Sequence, residues 1–262
     1  MRRILRVISA HVRVNLQQDL AYRVDTLVNI ATMMAWLGYD LASIAVLFGS
    51  AQNINGWLAG DIIVLLGVFR MLNTLMMSIV WPNTELFNRG IREGTLDYVF
   101  VMPVNSQALI SIRRIQVWQV VNVFVAAALI LAGIATSGTP VSLGEAVSFL
   151  VLMVSGAALI YALWIVLISL TFWFTKFDNN VSLLQALIDT GRWPASVYPM
   201  WMRLLVTFVV PIAVATTVPV QALRGELSPL EAVGYFAVGV AGFGLASLVW
   251  RAGSRRYSGA SS

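Results

Sequence analysis

A-V-S-F-L-V-L-M-V-S-G-A-A-L-I-Y-A-L-W-I-V-L-I-S-L-T-F-W-F, residues 146–174, is the stretch that decides the fold class. No charged side chain interrupts the chain between Glu145 and Lys176. A bilayer core of ~30 Å is crossed by about 20 residues of helix rising ~1.5 Å each, so this run is long enough to span with room for tilt. A soluble core helix rarely runs so far without charge. Similar runs lie at about 26–48, 57–81, 116–136, 200–222 and 230–250. Short turns, Gly49 to Gly56 and the Ser/Gly/Thr/Pro stretch 137–144, join them in pairs. The fifth run is the least regular, because Pro211 and Pro219 interrupt it.

The whole composition agrees with that run. Of 262 residues, 59% are hydrophobic and 11% charged, where a soluble domain carries roughly 25% charged residues. The expectation is an all-α membrane protein: one transmembrane domain, 1–262, of six transmembrane helices. Residues 1–24 alternate Arg with apolar positions and lack a signal-peptide h-region. They read as an amphipathic amino-terminal interfacial helix, with Ile4, Leu5, Ile8, Val12 and Leu16 on one face and Arg2, Arg3, Arg6 and Arg13 reaching headgroups. A disordered basic tail is the alternative.

Sixteen Arg and one Lys face twelve acidic residues, a net charge of +5. They flank apolar runs and form no single basic face, so they point to the positive-inside rule and not to nucleic acid. Arg23, Arg89, Arg92, Arg113, Arg114, Lys176, Arg192, Arg203, Arg251, Arg255 and Arg256 are all assigned with the amino-terminal arginines to the cytoplasmic side, which puts both termini there. Arg224 is left outside and Arg70 within a span. Trp57, Trp81, Trp118, Trp173, Trp193, Trp201 and Trp250 fall near proposed span ends and read as interfacial belts.

Catalytic signatures are missing. The chain has no cysteine and one histidine, His11, which excludes thiolate chemistry and cysteine or multi-histidine metal sites. No run fits GxxxxGK[ST], GxSxG or HExxH. No catalytic residue, metal ligand or cofactor is therefore assigned to this chain. An intramembrane carboxylate enzyme would need a clustered pair that the sequence does not offer.

Two features carry functional expectations. Arg70 sits near the middle of span two and Asp40 lies in span one; a buried Arg costs about 2.5 kcal/mol or more unless paired or snorkelling. Counting from the cytoplasmic ends puts them ~20 Å and ~16 Å deep, so they either meet, or share a polar cavity, or are separately hydrated. Asn73, Thr74 and Ser78 in span two and Asn122 in span three could line a route or bridge helices. Met71, Met76 and Met77 read as adaptable packing. Small residues Gly239, Gly242 and Ala246 on span six let another helix approach, within the subunit or across a dimer. The other feature is W-P-N-T-E-L-F-N-R-G-I-R-E-G-T-L-D-Y-V-F-V-M-P-V, 81–104. Pro82 is expected to end span two, Glu85 to Arg92 to form a short surface helix, Gly90 and Gly94 to permit turns, and Leu96, Tyr98 and Phe100 to anchor it. It reads as a docking element, with an ordinary interfacial loop as the alternative.

The run R-E-G-T-L-D-Y-V-F-V-M-P-V, 92–104, resembles the segment after the second span in the ABC type-2 permease family of exporter membrane subunits. The stretches W-P-A-S-V-Y-P-M-W-M-R, 193–203, and F-V-V-P-I-A-V-A-T-T-V-P-V, 208–220, and the ending R-R-Y-S-G-A-S-S are similar to a branch whose members pair with a second permease. The resemblance implies an interfacial helix before six spans and a cytoplasmic coupling segment, 82–108, seated in a nucleotide-binding subunit. By it Ile91, Arg92, Glu93, Gly94, Thr95, Leu96 and Asp97 carry coupling. It also implies an ABC ATPase partner holding ATP and Mg, a second permease as homodimer or heterodimer, a lipid environment in the cell membrane, and a re-entrant turn around Pro211 to Leu230. Efflux of a hydrophobic or amphipathic compound follows by analogy. The competing expectation is a channel or ion-coupled carrier in which Asp40 and Arg70 handle the coupling charge.

Overall fold

The computed structural model describes residues 23–50, 52–138, 140–174 and 180–256. The expected interfacial helix at 1–24 lies almost wholly outside these residues, as do Lys176 and the carboxyl-terminal segment from Tyr257. The described chain is built of helices: α1 is Arg23–Ser50, and α2, Ala59–Leu75, passes through a π-helical turn, Met76–Val80, into α3, Trp81–Glu93. Two short helices, α4 (Asp97–Val101) and α5 (Ser106–Ile112), lead back to α6 (Val120–Ser137) and α7 (Leu143–Leu170). Then come α8 (Asn180–Asp189), α9 (Met200–Leu204), α10 (Ile212–Leu223) and α11 (Pro229–Ser254). Five described segments are long and apolar enough to cross a membrane: Leu27–Ser50, Ala59–Glu93, Val117–Ser137, Leu143–Leu170 and Pro229–Ser254.

Local sequence sets where these helices start. Ser142 and Ser228 each accept from the backbone N–H of a glutamate three residues on, Glu145 and Glu231, and each glutamate reaches back to the serine's own N–H at 2.7 and 2.8 Å. Asp61 likewise accepts from the Leu58 N–H at 3.0 Å. Such caps answer amide groups that a first turn leaves open, at roughly 1 kcal/mol each.

Small residues set the packing. A side chain at Gly60 would meet the Gly133 carbonyl at 2.8 Å, and one at Gly133 would meet the Gly60 carbonyl at 2.7 Å, so α2 and α6 touch backbone to backbone. The stripe on α11 serves the same end within the subunit: Gly239 lies against Ser155, and a Cβ at Gly242 would meet Leu159 Cδ2 at 2.9 Å. Ala246 beside them is fully buried. The two orders of small residues therefore clamp α6 onto α2 and α11 onto α7.

Several expectations need correction. Pro82 does not end the second span, since helix continues to Glu93 and makes a single 35-residue segment. A proline at 82 has no N–H for the Ser78 carbonyl, but the backbone N–H of Gln116 donates to that oxygen at 3.0 Å. The π-helical turn Met76–Val80 sits directly before it. Trp57 and Trp250 are 4% and 2% exposed, so they belong to the core and not to a lipid-facing belt.

The fifth span also differs. Residues 200–209 and 212–223 form helices bent by 94° at Val210 and Pro211. Both ends of this pair lie at the end of the molecule that holds Trp57. Arg203 donates to the carbonyls of Ala195 and Ser196, and the Ser196 carbonyl also accepts from Asn55. At the other extremity Arg224 donates to the Gly56 carbonyl at 2.7 Å. The pair therefore enters and returns, a re-entrant element, instead of crossing at 200–222. Between α7 and α11 the chain also runs through α8 and the 3-10 turn Thr190–Arg192, which brings Arg192 to Asp40 of α1. Arg192 lies beside Asp40 and Arg203 at the Trp57 end, so neither shares the end of the molecule that holds Trp250 and Arg251.

Because the natural sequence has no cysteine, single replacements test this path cleanly. Val101 and Val197 are 82% and 42% exposed. Val101→Cys and Val197→Cys should react with a membrane-impermeant maleimide from opposite faces of sealed vesicles. Labelling of both from one face would restore a crossing at 200–222.

Candidate functional site

Three elements converge on one carboxylate. Asp40 on α1 is 7% exposed; its Oδ2 accepts from Arg70 Nη2 of α2 at 2.6 Å, and its Oδ1 lies 3.5 Å from Arg192 Nη1. Gly191 makes the Arg192 position available, because a Cβ there would meet Ile212 Cγ2 at 2.7 Å and Thr216 Cγ2 at 2.8 Å. The turn can thus press against α10 and hold Arg192 inward. Its guanidinium also lies 5.4 Å from the centre of the Phe69 ring. Each carboxylate oxygen has its own guanidinium, which is the compensation a charge needs away from water.

The triad borders an open cleft of about 640 Å³. Asn73 and Asn122 line it, with Thr74, Gln116, Gln119 and Gln185. Asn122 Nδ2 donates to Gln119 Oε1. Ser78 is turned away, its hydroxyl bonded to the Leu75 carbonyl. Indoles of Trp36, Trp81 and Trp118 form part of the wall. Sequence reasoning reached Asp40, Arg70, Asn73 and Asn122 but missed Arg192. The available signal was the run N-V-S-L-L-Q-A-L-I-D-T-G-R, 180–192, whose Leu184 and Ile188, four apart, are both buried.

A second feature lies at the opposite end from Trp57. Helix α3 stops at Gly94, whose φ of +69° caps it; the Thr95 N–H returns to the Gly90 carbonyl at 2.9 Å. Gly90 itself is helical, not a turn, and its bare face admits Leu96, whose Cδ2 lies 3.1 Å from where a Cβ would stand. Leu96 is fully buried and Ile91 packs on the core, while Arg92, Glu93 and Thr95 are exposed and Asp97 half-buried. Behind this ridge is an aromatic cluster. Phe87 lies 5.6 Å from Phe172 and 5.8 Å from Trp250, and Phe100 lies 6.2 and 6.4 Å from the same two rings. Trp250 Nε1 donates to Ser106 Oγ at 3.1 Å, and Trp164 Nε1 to Thr84 Oγ1 at 2.6 Å. The ridge is therefore fixed to α7 and α11 as well as to α2.

A family model described as "ABC-2 family transporter protein" matches residues 34–261, which takes in α1 from Met34 on, the ridge, most of the cleft and the re-entrant pair. Comparisons with curated proteins and with solved structures give no match.

The triad predicts unequal and non-additive losses. Asp40→Asn strands two guanidiniums, whereas Arg70→Gln leaves Asp40 with Arg192, so thermal unfolding in detergent should show the first as the more destabilising. The double variant should lose less than the sum of the two by about 1–3 kcal/mol. Strict additivity would remove the pair as an energetic unit.

Proposed function

The chain belongs to the ABC-2 family of transporter membrane proteins, and from that premise we propose that it is the permease subunit of an ATP-driven exporter. Membership makes it a multi-pass membrane subunit of an ABC system, associated with an ABC ATPase. In our reading that separate subunit binds ATP and Mg and hydrolyses the nucleotide, while this chain moves a hydrophobic or amphipathic compound out of the cytoplasm or the inner leaflet. A second permease, identical or similar, completes the assembly in the cell membrane, with the ridge end in the cytoplasm.

The observation that carries the reading is the ridge from Trp81 to Val104. It presents Glu93, Thr95 and the 82%-exposed Val101 outward, and it is locked from behind by the Phe87, Phe100, Phe172 and Trp250 cluster. A rigid projection tied to three membrane helices converts a push at its tip into helix tilt; a loose loop would absorb it. The ion-coupled alternative, which gave the coupling charge to Asp40 and Arg70, is less well supported, because both oxygens of Asp40 face guanidiniums and are not open to a coupling cation.

Glu93→Arg combined with Val101→Glu should abolish co-purification of the ATPase subunit and reduce transport at least about tenfold, with the permease's thermal unfolding unchanged. Asn53→Arg, an exposed change at the far end, should leave co-purification intact. Retention of the ATPase by the ridge variant would remove the coupling assignment from these residues.

A further inference from the structure

The cleft holds two arginines and two aspartates, but the aspartates are not evenly shared. Arg70 and Arg192 share one carboxylate, that of Asp40. The other carboxylate of the cleft, Asp189, is exposed at its margin, where it accepts from Gln185 Nε2 at 3.0 Å. The Nε atoms of Arg70 and Arg192 are both buried without a hydrogen-bond partner among the described residues, and so is Gln185 Oε1. A buried donor on a cation that stays unanswered is costly, and here two of them belong to side chains that line the same open space. The guanidiniums keep 14% and 32% of their side-chain surface open to the cleft, and it is at these exposed parts that an incoming oxyanion would accept charge-assisted hydrogen bonds.

The rest of the cleft fits a larger molecule than a bare anion. Its volume of about 640 Å³ is that of a site for an organic ligand. Trp36 and Trp81, 56% and 40% exposed, put apolar surface at its rim, and the amides of Asn29, Asn73 and Asn122 supply neutral hydrogen-bonding groups along the wall. One side is α1, whose outward residues Val28, Met34 and Val46 are exposed and apolar and so continue the rim into lipid. Trp36 stands one helical turn from Asp40 on α1, so apolar surface lies close beside the guanidiniums.

We propose that this cleft binds the anionic oxyanion headgroup of a single-tailed amphiphile, with Arg70 and Arg192 as its floor and the alkyl chain leaving past Trp36 along α1. Binding needs no nucleotide. The further identification of that amphiphile as transported cargo rests on the exporter reading given above.

The test uses the full chain purified in a neutral maltoside detergent, with tryptophan fluorescence and thermal unfolding as readouts and no ATP present. Decyl phosphate should quench and stabilise saturably, at least about tenfold more tightly than inorganic phosphate or decyltrimethylammonium. Arg192→Gln should weaken decyl phosphate by at least about tenfold. Asn29→Asp, a change at an exposed wall position that leaves the triad intact, should also weaken it, by repulsion. Arg203→Gln, away from the cleft, should bind as the natural chain does. Equal affinity for the cationic amphiphile would overturn the proposal, as would unchanged binding in both cleft variants; phosphate binding as tightly as decyl phosphate would overturn the amphiphile. None of these readings involves the ATPase, so a failure here leaves the ridge experiment standing, and loss of the exporter reading leaves the headgroup site standing.

Discussion

Inside a bilayer a backbone carbonyl deprived of its helical donor has no water to turn to, so the chain must answer it. Pro82 creates such a carbonyl at Ser78, and Gln116 answers it from the far side of the ridge with a 3.0 Å hydrogen bond. The neighbouring Asn83 extends the same seam. Its amide nitrogen donates to the carbonyls of Ile79, Ser111 and Arg114, and its oxygen accepts from the Arg114 N–H. One proline and one asparagine thus bind the outgoing helix to the returning segment. That closure lets Phe87 and Phe100, on opposite arms, meet the same two rings of Phe172 and Trp250. Were the Ser78 carbonyl left open, the ridge would hang from a kinked helix end and its position would follow thermal motion.

The same requirement acts on charge at the Asp40 triad. Helix α1 is largely exposed, with 17% of its apolar window buried, so packing alone holds it weakly to the rest of the molecule. Asp40, Met33 and Ile44 are its buried residues among those described. The carboxylate therefore fastens α1 to α2 through Arg70 and to the turn after α8 through Arg192. Removal of one partner from such a contact strands an ion at a cost of about 3–5 kcal/mol, whereas the intact contact contributes little net stability. Its value lies in fixing which helices stand together.

Legibility in the sequence follows from the same physics. Where an apolar run was long and unbroken, as at 146–174, a long helix occupies it, because lipid contact demands just that composition. The meeting of Asp40 and Arg70 was among the readings open to a depth count, since two antiparallel helices share one thickness of bilayer. Three features were hidden. Helix continuation past Pro82 depends on a donor 34 positions from it in the chain, at Gln116, and no local rule sees that. Helix α8 is short and carries Gln185 and Asp189 because one side borders the polar cleft, so nothing in its hydropathy marks it, while the bent pair after it reads as one straight span. Trp57 and Trp250 have the composition of belt residues, yet the Arg224 guanidinium 4.6 Å from the Trp57 ring and the aromatic cluster around Trp250 bury them.

These features share one rod. Arg70 and the ridge tip at Glu93 belong to a single helical segment, separated by about 35 Å at ~1.5 Å per residue, with the π-helical turn at Met76–Val80 between them. Beyond that turn the rod is clamped to α7 and α11; before it, Gly60 and Gly67 clamp it to α6. A force applied at the tip therefore cannot bend either clamped half easily, and the wider, less regular turn between them is where the rod yields. In the proposed exporter a small rotation there displaces Arg70 relative to Asp40 and Arg192, which stand on other elements. A channel would need no such rod, and a carrier driven by ions would need its carboxylate free of the arginines that this geometry places against it.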